Sequence, residues 1–307
     1  MIRLLHLFLF STTIFTFQNC GDQAKKTTAS SPKTPANALA SLSRPVDSST
    51  YWYQGKAELS TYDVTQERYG ELRPAEQVNI FVTEDFSREK QVKLDSPDVA
   101  GNDRVPVLKL NTVRRFHTGI YDYSILQSIF TPVDGSPTLK LTTSVQDWCG
   151  QVFTQFNLDK KEYRIRQFSY FEKEGDSDQR LPLALLEDDI WSHLRLHPDR
   201  LRLGRMQIIP ATLYLRFRHK PFALHFATLA MDKGAQESLL KVTYEDIPRT
   251  LSIRFESAFP HRILGWEEME DGKIMSKGTL KASRMEPYWS QHDVKSDGMR
   301  DSLQVHF

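Results

Sequence analysis

The chain has 307 residues, of which 26% are charged and 39% hydrophobic, and its formal net charge is +1. This balance excludes a disordered chain, which has fewer large apolar residues, and a dedicated nucleic-acid binder, which is usually basic. Two cysteines are too few for a disulfide-rich mini-domain, and the repeated apolar runs of polytopic helical membrane proteins do not occur. A globular chain of one large or two ordinary domains remains, and no motif in it names a reaction.

The first 19 residues are typical of a lipoprotein-type signal peptide. Arg3 precedes an apolar stretch of 14 residues, from Leu4 to Phe17. This stretch is short for a bilayer crossing and fits the apolar core of a secretion signal. A membrane-anchor helix is the rival interpretation. The sequence therefore predicts that residues 1–19 are a cleaved signal.

Cys20 follows directly, where a bacterial lipoprotein carries its acyl chains. Asn19 departs from the small residue usual before that cysteine, so ordinary signal cleavage with an incidental cysteine stays as an alternative. Residues 20–50 are rich in Ala, Ser, Thr and Pro and lack aromatic side chains, a composition that is typical of a flexible tether. We expect lipid attachment at Cys20, a tether over 20–50 and a folded domain over 51–307.

Cys149 is the remaining cysteine. If Cys20 carries lipid, Cys149 has no partner for an intramolecular disulfide. Cysteine packs as a small apolar side chain, so we expect a buried free thiol. A reactive thiol, an intermolecular disulfide and a Cys20–Cys149 bridge in an unlipidated chain are the alternatives.

The folded part is predicted to be mainly β. Its strand-like runs alternate apolar and polar residues or are rich in β-branched and aromatic residues. These runs are 76–83, 105–111, 162–171, 213–218, 222–231, 238–244 and 250–256. The dipeptides Asp134-Gly135 and Asp271-Gly272 predict tight turns between strands. We expect one large, strongly curved antiparallel sheet or a partly open barrel.

Two further elements complete the prediction. Leu183, Leu186, Ile190 and Leu194 recur at helical spacing, which indicates an amphipathic helix near 181–197 that covers an open face of the sheet. The C-terminal run DSLQVHF alternates as a last strand does. Outer-membrane barrels end in the same way, but the charged helix and the mean hydropathy of −0.48 favour a strand tucked into a sheet.

Asp189, His193 and His197 form the one metal-like pattern, at i, i+4 and i+8 on the predicted helix. They are weak metal candidates, because histidines beside a packed stripe near a helix C-terminus are ordinary. Gly175-Asp176-Ser177 is similar to the nucleophile block of GDS-type esterases, but it lies in a charged loop and no later Asp-x-x-His follows, so a surface turn is expected. We predict neither a catalytic residue nor a cofactor.

Four runs carry a resemblance to a known family: YWYQGKAELSTYDVTQERYGELR, NIFVTEDFSREKQVK, FHTGIYDYSILQSIFTP and QDWCGQVFTQFN. They resemble a group of secreted or lipid-anchored Bacteroidetes-type proteins of unknown function, often labelled septum formation inhibitor Maf. The resemblance covers about 51–157. True Maf pyrophosphatases have a Ser-x-Arg-Arg motif, and Val113-Arg114-Arg115 lacks its serine. The resemblance implies location and fold, and it supplies no catalytic residue.

The sequence predicts a non-enzymatic lipoprotein of the cell envelope, on the outer membrane or the periplasmic face, that binds a lipid or another apolar ligand in a curved-sheet cavity. Its partner would be the membrane, through the lipidated N-terminus, and not nucleic acid. An envelope scaffold with a filled core is the first alternative. A hydrolase or metal-dependent enzyme that uses His193 and His197 is the second. A hollow interior that opens beside 183–197 would favour ligand binding, and a solid core with an exposed apolar patch would favour the scaffold.

Overall fold

A computed structural model describes residues 49–307 of the chain. Within these residues, fifteen strands form one sheet. The strands are β1 Ala57–Arg68, β2 Glu71–Ser87, β3 Arg104–Thr118, β4 Tyr121–Pro132, β5 Lys140–Asp147, β6 Gly150–Asp159, β7 Glu162–Ser169, β8 Ser177–Pro182, β9 Leu185–Leu186, β10 Gly204–Ile209, β11 His225–Lys233, β12 Glu237–Tyr244, β13 Arg249–Glu256, β14 Ile263–Glu270 and β15 Lys273–Glu286. The helices are α1 Ser49–Trp52, α2 Ile190–Leu196, α3 Thr212–Arg218 and α4 Met299–Leu303, with short 3₁₀ turns between them. The predicted signal, Cys20 and the tether up to residue 48 lie outside the described residues.

The sheet confirms the predicted mainly β architecture. Strands β1 to β8 run from its centre to one edge, and β15 back to β9 run from β1 to the other edge. All neighbours pair antiparallel except β9 and β10, which are parallel. The two edge strands β8 and β9 are separated in sequence only by Leu183 and Ala184. Since each residue spans at most about 3.6 Å, the sheet must curl until its edges approach each other without pairing. We call this junction the seam.

Helices α2 and α3 fill the interior of the curled sheet. Ile190 and Leu194 of α2 pack with apolar residues of β1 and β10–β14. Leu196 of α2 and Leu215 of α3 pack with apolar residues of β2–β7. A gap of about 60 Å³ remains beside Arg114, and it is too small for an organic ligand. The interior is therefore a packed core.

Three consecutive buried acids tie the start of α2 to different parts of the sheet. Glu187 accepts hydrogen bonds from Arg249 and Tyr244 on β13 and β12. Asp188 accepts from the Thr212 backbone N–H at 2.8 Å and from the Gln127 Nε2 of β4 at 3.0 Å. Asp189 accepts from the Thr131 hydroxyl, also on β4, and lies 3.0 Å from the Nε2 of His193. Unpaired buried carboxylates are costly, so these bonds fix the position of this turn and of the chain that follows it.

A second buried ion pair fixes α2 to the central strand. Arg195 donates from Nη1 and Nη2 to the two carboxylate oxygens of Glu58 on β1, at 2.5 Å each, and both side chains are 0% exposed. Burial alone would raise the pKa of Glu58, but the Arg195 guanidinium outweighs this and holds the pKa below its ordinary value. The Arg195 Nε also donates to the Pro260 carbonyl oxygen at 3.0 Å.

Three local predictions are wrong. Residues 213–218 form helix α3, whose side chains Tyr214, Leu215 and Phe217 are buried together. The predicted helix over 181–197 is helical only from the turn at Glu187 onwards, because residues 181–186 complete β8 and form β9. The C-terminal run is not a strand: α4 ends at Leu303, which packs with Leu59 of β1 on the opposite side of that strand from Glu58.

The predicted turns are confirmed. Asp271 and Gly272, with φ of +50° and +72°, connect β14 and β15, and this left-handed geometry favours the Asp-Gly dipeptide. Gly135 has a φ of +83° in the loop between β4 and β5.

No helix within residues 49–307 has the length and the apolar character that a bilayer crossing requires.

Candidate ligand site at the seam

A cavity of about 610 Å³ lies at the seam, and we call it the seam cavity. Its walls come from the β4–β5 loop, the β8–β9 crossing, α2 with the segment after it, and the start of β10 and β11. The lining residues are Asp134, Gly135, Pro137, Thr138, Tyr163, Pro182, Leu183, Ala184, Leu185, Leu186, Asp189, His193, His197, Arg200, Leu201, Arg202, Met206, Gln207, Leu224 and Phe226. The volume falls within the range of about 300–1,000 Å³ that is typical of small-molecule sites.

The larger part of the lining is apolar. The crossing contributes Leu183, Ala184 and Leu185, and the opposite wall contributes Leu224 and Phe226. Leu183 and Phe226 are each 37% exposed, so apolar surface continues to the mouth of the cavity. Exposed apolar side chains that rim a concave space are typical of ligand-binding surfaces.

The three predicted metal candidates all line the seam cavity but do not form a metal site. His193 and Asp189 pair with each other, with 3.0 Å between Nε2 and Oδ2. The Nε2 of His197 instead lies 3.2 Å from the Val133 carbonyl oxygen. Among the described residues, no three His, Cys, Asp or Glu side chains are grouped so that they could hold a metal ion.

The two histidines differ in their electrostatics. Burial would lower the pKa of His193, but the Asp189 carboxylate outweighs burial and raises it. Burial lowers the pKa of His197, and the positive charges of Arg200 and His193 add to this, although the Val133 carbonyl opposes it. The seam cavity therefore holds His193 paired with an acid, and His197 beside cationic neighbours.

Arg200 and Arg202 were not singled out by the sequence. Both line the cavity and are exposed, and within residues 49–307 neither guanidinium forms an ion pair. The sequence offered one weak signal for them, the alternation of arginines with Leu201 and Leu203 after Pro198. Their position at the seam depends on the meeting of two distant sheet edges, which no local pattern shows.

Two other singled-out segments lie elsewhere. Cys149 lies in the β5–β6 turn and is an exposed free thiol, so the predicted burial is wrong. Its side chain is exposed because Trp148 and Cys149 form the short turn between β5 and β6, in which the Asp147 Oδ1 accepts the Cys149 backbone N–H at 2.7 Å. Gly175-Asp176-Ser177 forms the loop that leads into β8. There the Asp176 carboxylate accepts the Ser169 backbone N–H at 3.1 Å, a bond that closes the loop.

No family model matches the chain, and no curated protein matches it. A similar solved structure is the crystal structure of the beta-barrel-like protein of domain of unknown function DUF1849 from Brucella abortus. The two chains are 9% identical, with a TM-score of 0.48, and the match covers 75% of this chain and 98% of that chain.

Proposed function

We propose that this chain is a non-enzymatic, lipid-anchored protein of the cell envelope that binds a lipid or another apolar ligand in the seam cavity. The observation that carries the proposal is the apolar lining of that cavity, which opens beside residues 183–197 and reaches the surface at Leu183 and Phe226. An apolar chain that binds there removes apolar surface from water. This stabilises the complex by about 25 cal/mol for each Å² of apolar surface buried.

The envelope location rests on the N-terminal sequence. A secretion signal followed by Cys20 and a tether rich in Ala, Ser, Thr and Pro would hold the β domain near a membrane that supplies the ligand. Two or more acyl chains on Cys20 would give stable anchoring, at about 0.8 kcal/mol per buried CH₂. In cells fed a fatty-acid probe, we expect the wild-type chain to be labelled and the Cys20→Ser variant to be unlabelled and released from membranes. A Cys20→Ser chain that is still labelled would contradict the anchor.

Native mass spectrometry of the full chain tests ligand binding. The chain purified from its producing cells should carry a stoichiometric apolar adduct that is absent from the denatured mass and present in an organic extract. Ala184→Trp places an indole in the cavity and should abolish the adduct. Ala235→Trp makes the same change in the exposed β11–β12 turn and should retain it. A bare wild-type mass, or an adduct that survives Ala184→Trp, would contradict binding in the seam cavity.

A second candidate function, an envelope scaffold, is favoured by exposed side chains at one end of the sheet. In an antiparallel meander the turns after β1, β3, β5 and β7 lie at the same end. They carry Tyr69, Ile120, Trp148 and Tyr170, which are 57%, 84%, 69% and 63% exposed. Crosslinking in cells distinguishes the two functions. A partner that is lost on Trp148→Ser but kept on Ala184→Trp would support the scaffold.

A further inference from the structure

We infer that the seam cavity selects amphiphiles with an anionic headgroup, a carboxylate or a phosphate monoester, and that Arg200 and Arg202 bind this headgroup at its mouth. The inference rests on the proposed function and names its ligand class. Arg200 and Arg202 line the same cavity as Leu183 and Phe226, so a ligand could place its chain against the apolar residues and its charge at the arginines. Guanidinium groups bind carboxylates and phosphates through paired hydrogen bonds.

The charged residues that line the cavity carry an excess of positive charge. Asp189 is paired with His193. The Asp134 Oδ1 accepts the Ser136 backbone N–H at 2.9 Å and the Ser136 hydroxyl at 2.5 Å, but these donors are neutral, so the carboxylate offsets one of the two arginine charges and one positive charge remains. Within the described chain, Arg200 and Arg202 have no comparable partner.

Nearby cations that do have partners make the contrast clear. The guanidinium carbon of Arg205 lies 3.8 Å from the ring centroid of Phe226. Arg205 also pairs with Glu245, with 2.9 Å between the arginine Nε and the glutamate Oε1. Lys233 pairs with Asp199, at 2.5 Å. These acids are thus already occupied, and an anionic headgroup would be the counter-charge for the two remaining arginines.

The cavity volume indicates a ligand with a single hydrocarbon chain. At about 30 Å³ for each water-sized group, 610 Å³ accommodates roughly 20 non-hydrogen atoms. This is the size of a single long-chain amphiphile such as a fatty acid. The hydrocarbon would fill the apolar part, and the charged group would remain at the mouth, where the guanidiniums are exposed and water completes their solvation.

Binding of matched amphiphiles tests the inference. The full chain with Cys20→Ser, which removes the competing acyl anchor, is titrated with palmitate, with the uncharged hexadecanol, and with palmitoyl lysophosphatidic acid. We expect palmitate to bind about tenfold more tightly than hexadecanol, and the preference to shrink as salt screens the charges. Tighter binding of the lysophosphatidic acid than of palmitate would assign a phosphate headgroup, and the reverse order would assign a carboxylate.

Two double variants provide the matched comparison. Arg200→Gln with Arg202→Gln should erase the preference for palmitate and leave the affinity for hexadecanol unchanged. Arg88→Gln with Lys90→Gln removes two exposed charges from the β2–β3 loop and should keep the preference. All four positions are exposed, so unchanged thermal unfolding is expected.

The outcomes separate the two proposals. Equal binding of palmitate and hexadecanol, or a preference that survives in the Arg200→Gln, Arg202→Gln variant, would overturn the headgroup inference and leave the apolar site in place. If neither amphiphile binds, or if Ala184→Trp leaves their binding unchanged, the seam-cavity function and this inference both fail.

Discussion

Replacing Arg195 tests whether the buried ion pair holds α2 inside the sheet. Arg195→Met keeps an unbranched side chain beside Trp52 and Phe81, whose ring centroids lie 5.0 and 4.6 Å from the guanidinium carbon. It removes both hydrogen bonds to Glu58 and leaves that carboxylate 0% exposed without its cation. Breaking a buried pair in this way costs about 3–5 kcal/mol. We expect Tm to fall by roughly 2–4 °C for each kcal/mol lost, as for domains of about 150–250 residues.

The double variant separates the pair from its packing. Glu58→Gln with Arg195→Met leaves no unpaired charge, so it should recover about half of the loss of the single Arg195 variant. Urea unfolding of the wild type, both single variants and the double variant gives the coupling free energy. Single losses below about 1 kcal/mol, or a double loss equal to the sum of the two, would refute the argument, because independent residues give additive effects.

The remaining predictions concern one titrating group and one close packing contact. Burial raises the pKa of Asp188 to about 7 from 3.8, so this group contributes stability that is complete below pH 3.8 and is lost as pH rises through 7. Asp188→Asn should remove this dependence, and its free energy of unfolding relative to wild type should rise by at most about 4 kcal/mol from pH 4 to 8 in urea titrations. A flat difference would contradict the buried neutral acid. A Cβ at Gly278 would overlap the Trp266 ring on the neighbouring strand, so Gly278→Ala should cost about 2 kcal/mol in thermal unfolding, while Gly298→Ala, in open space, should not.

The sheet could be predicted from the sequence because its strands are mostly half-buried. In β12, for example, Ser238, Leu240, Val242 and Tyr244 are buried and alternate with exposed or half-buried residues. Such alternation is a local consequence of strand geometry. The Asp271-Gly272 turn was predictable for the same reason, since two adjacent residues decide it.

Residues 213–218 could not be assigned from their own pattern. Leu213, Leu215 and Phe217 alternate with Tyr214 and two arginines, which favours a strand for any run of this length. The run is nevertheless a helix whose side chains are mostly buried, and its arginines form ion pairs with distant acids. Arg216 pairs with Glu174, and Arg218 pairs with Glu67 and Glu270. Those partners belong to other strands and loops, so the short sequence cannot show them.

The location of the seam cavity follows from how the sheet ends. Strands β8 and β9 are the two edges, yet only Leu183 and Ala184 separate them, and β9 itself has two residues. So short a connection brings the edges together, and so short a strand cannot pair along the length of β8. Because α2 and α3 fill the interior, the curled sheet cannot tighten further to close the gap. Apolar residues of the crossing then have no strand to cover them, and Leu183 stays partly exposed. A packed core and an open, apolar edge thus both result from the same arrangement. The open edge is where an apolar ligand would bury the most exposed apolar surface on binding.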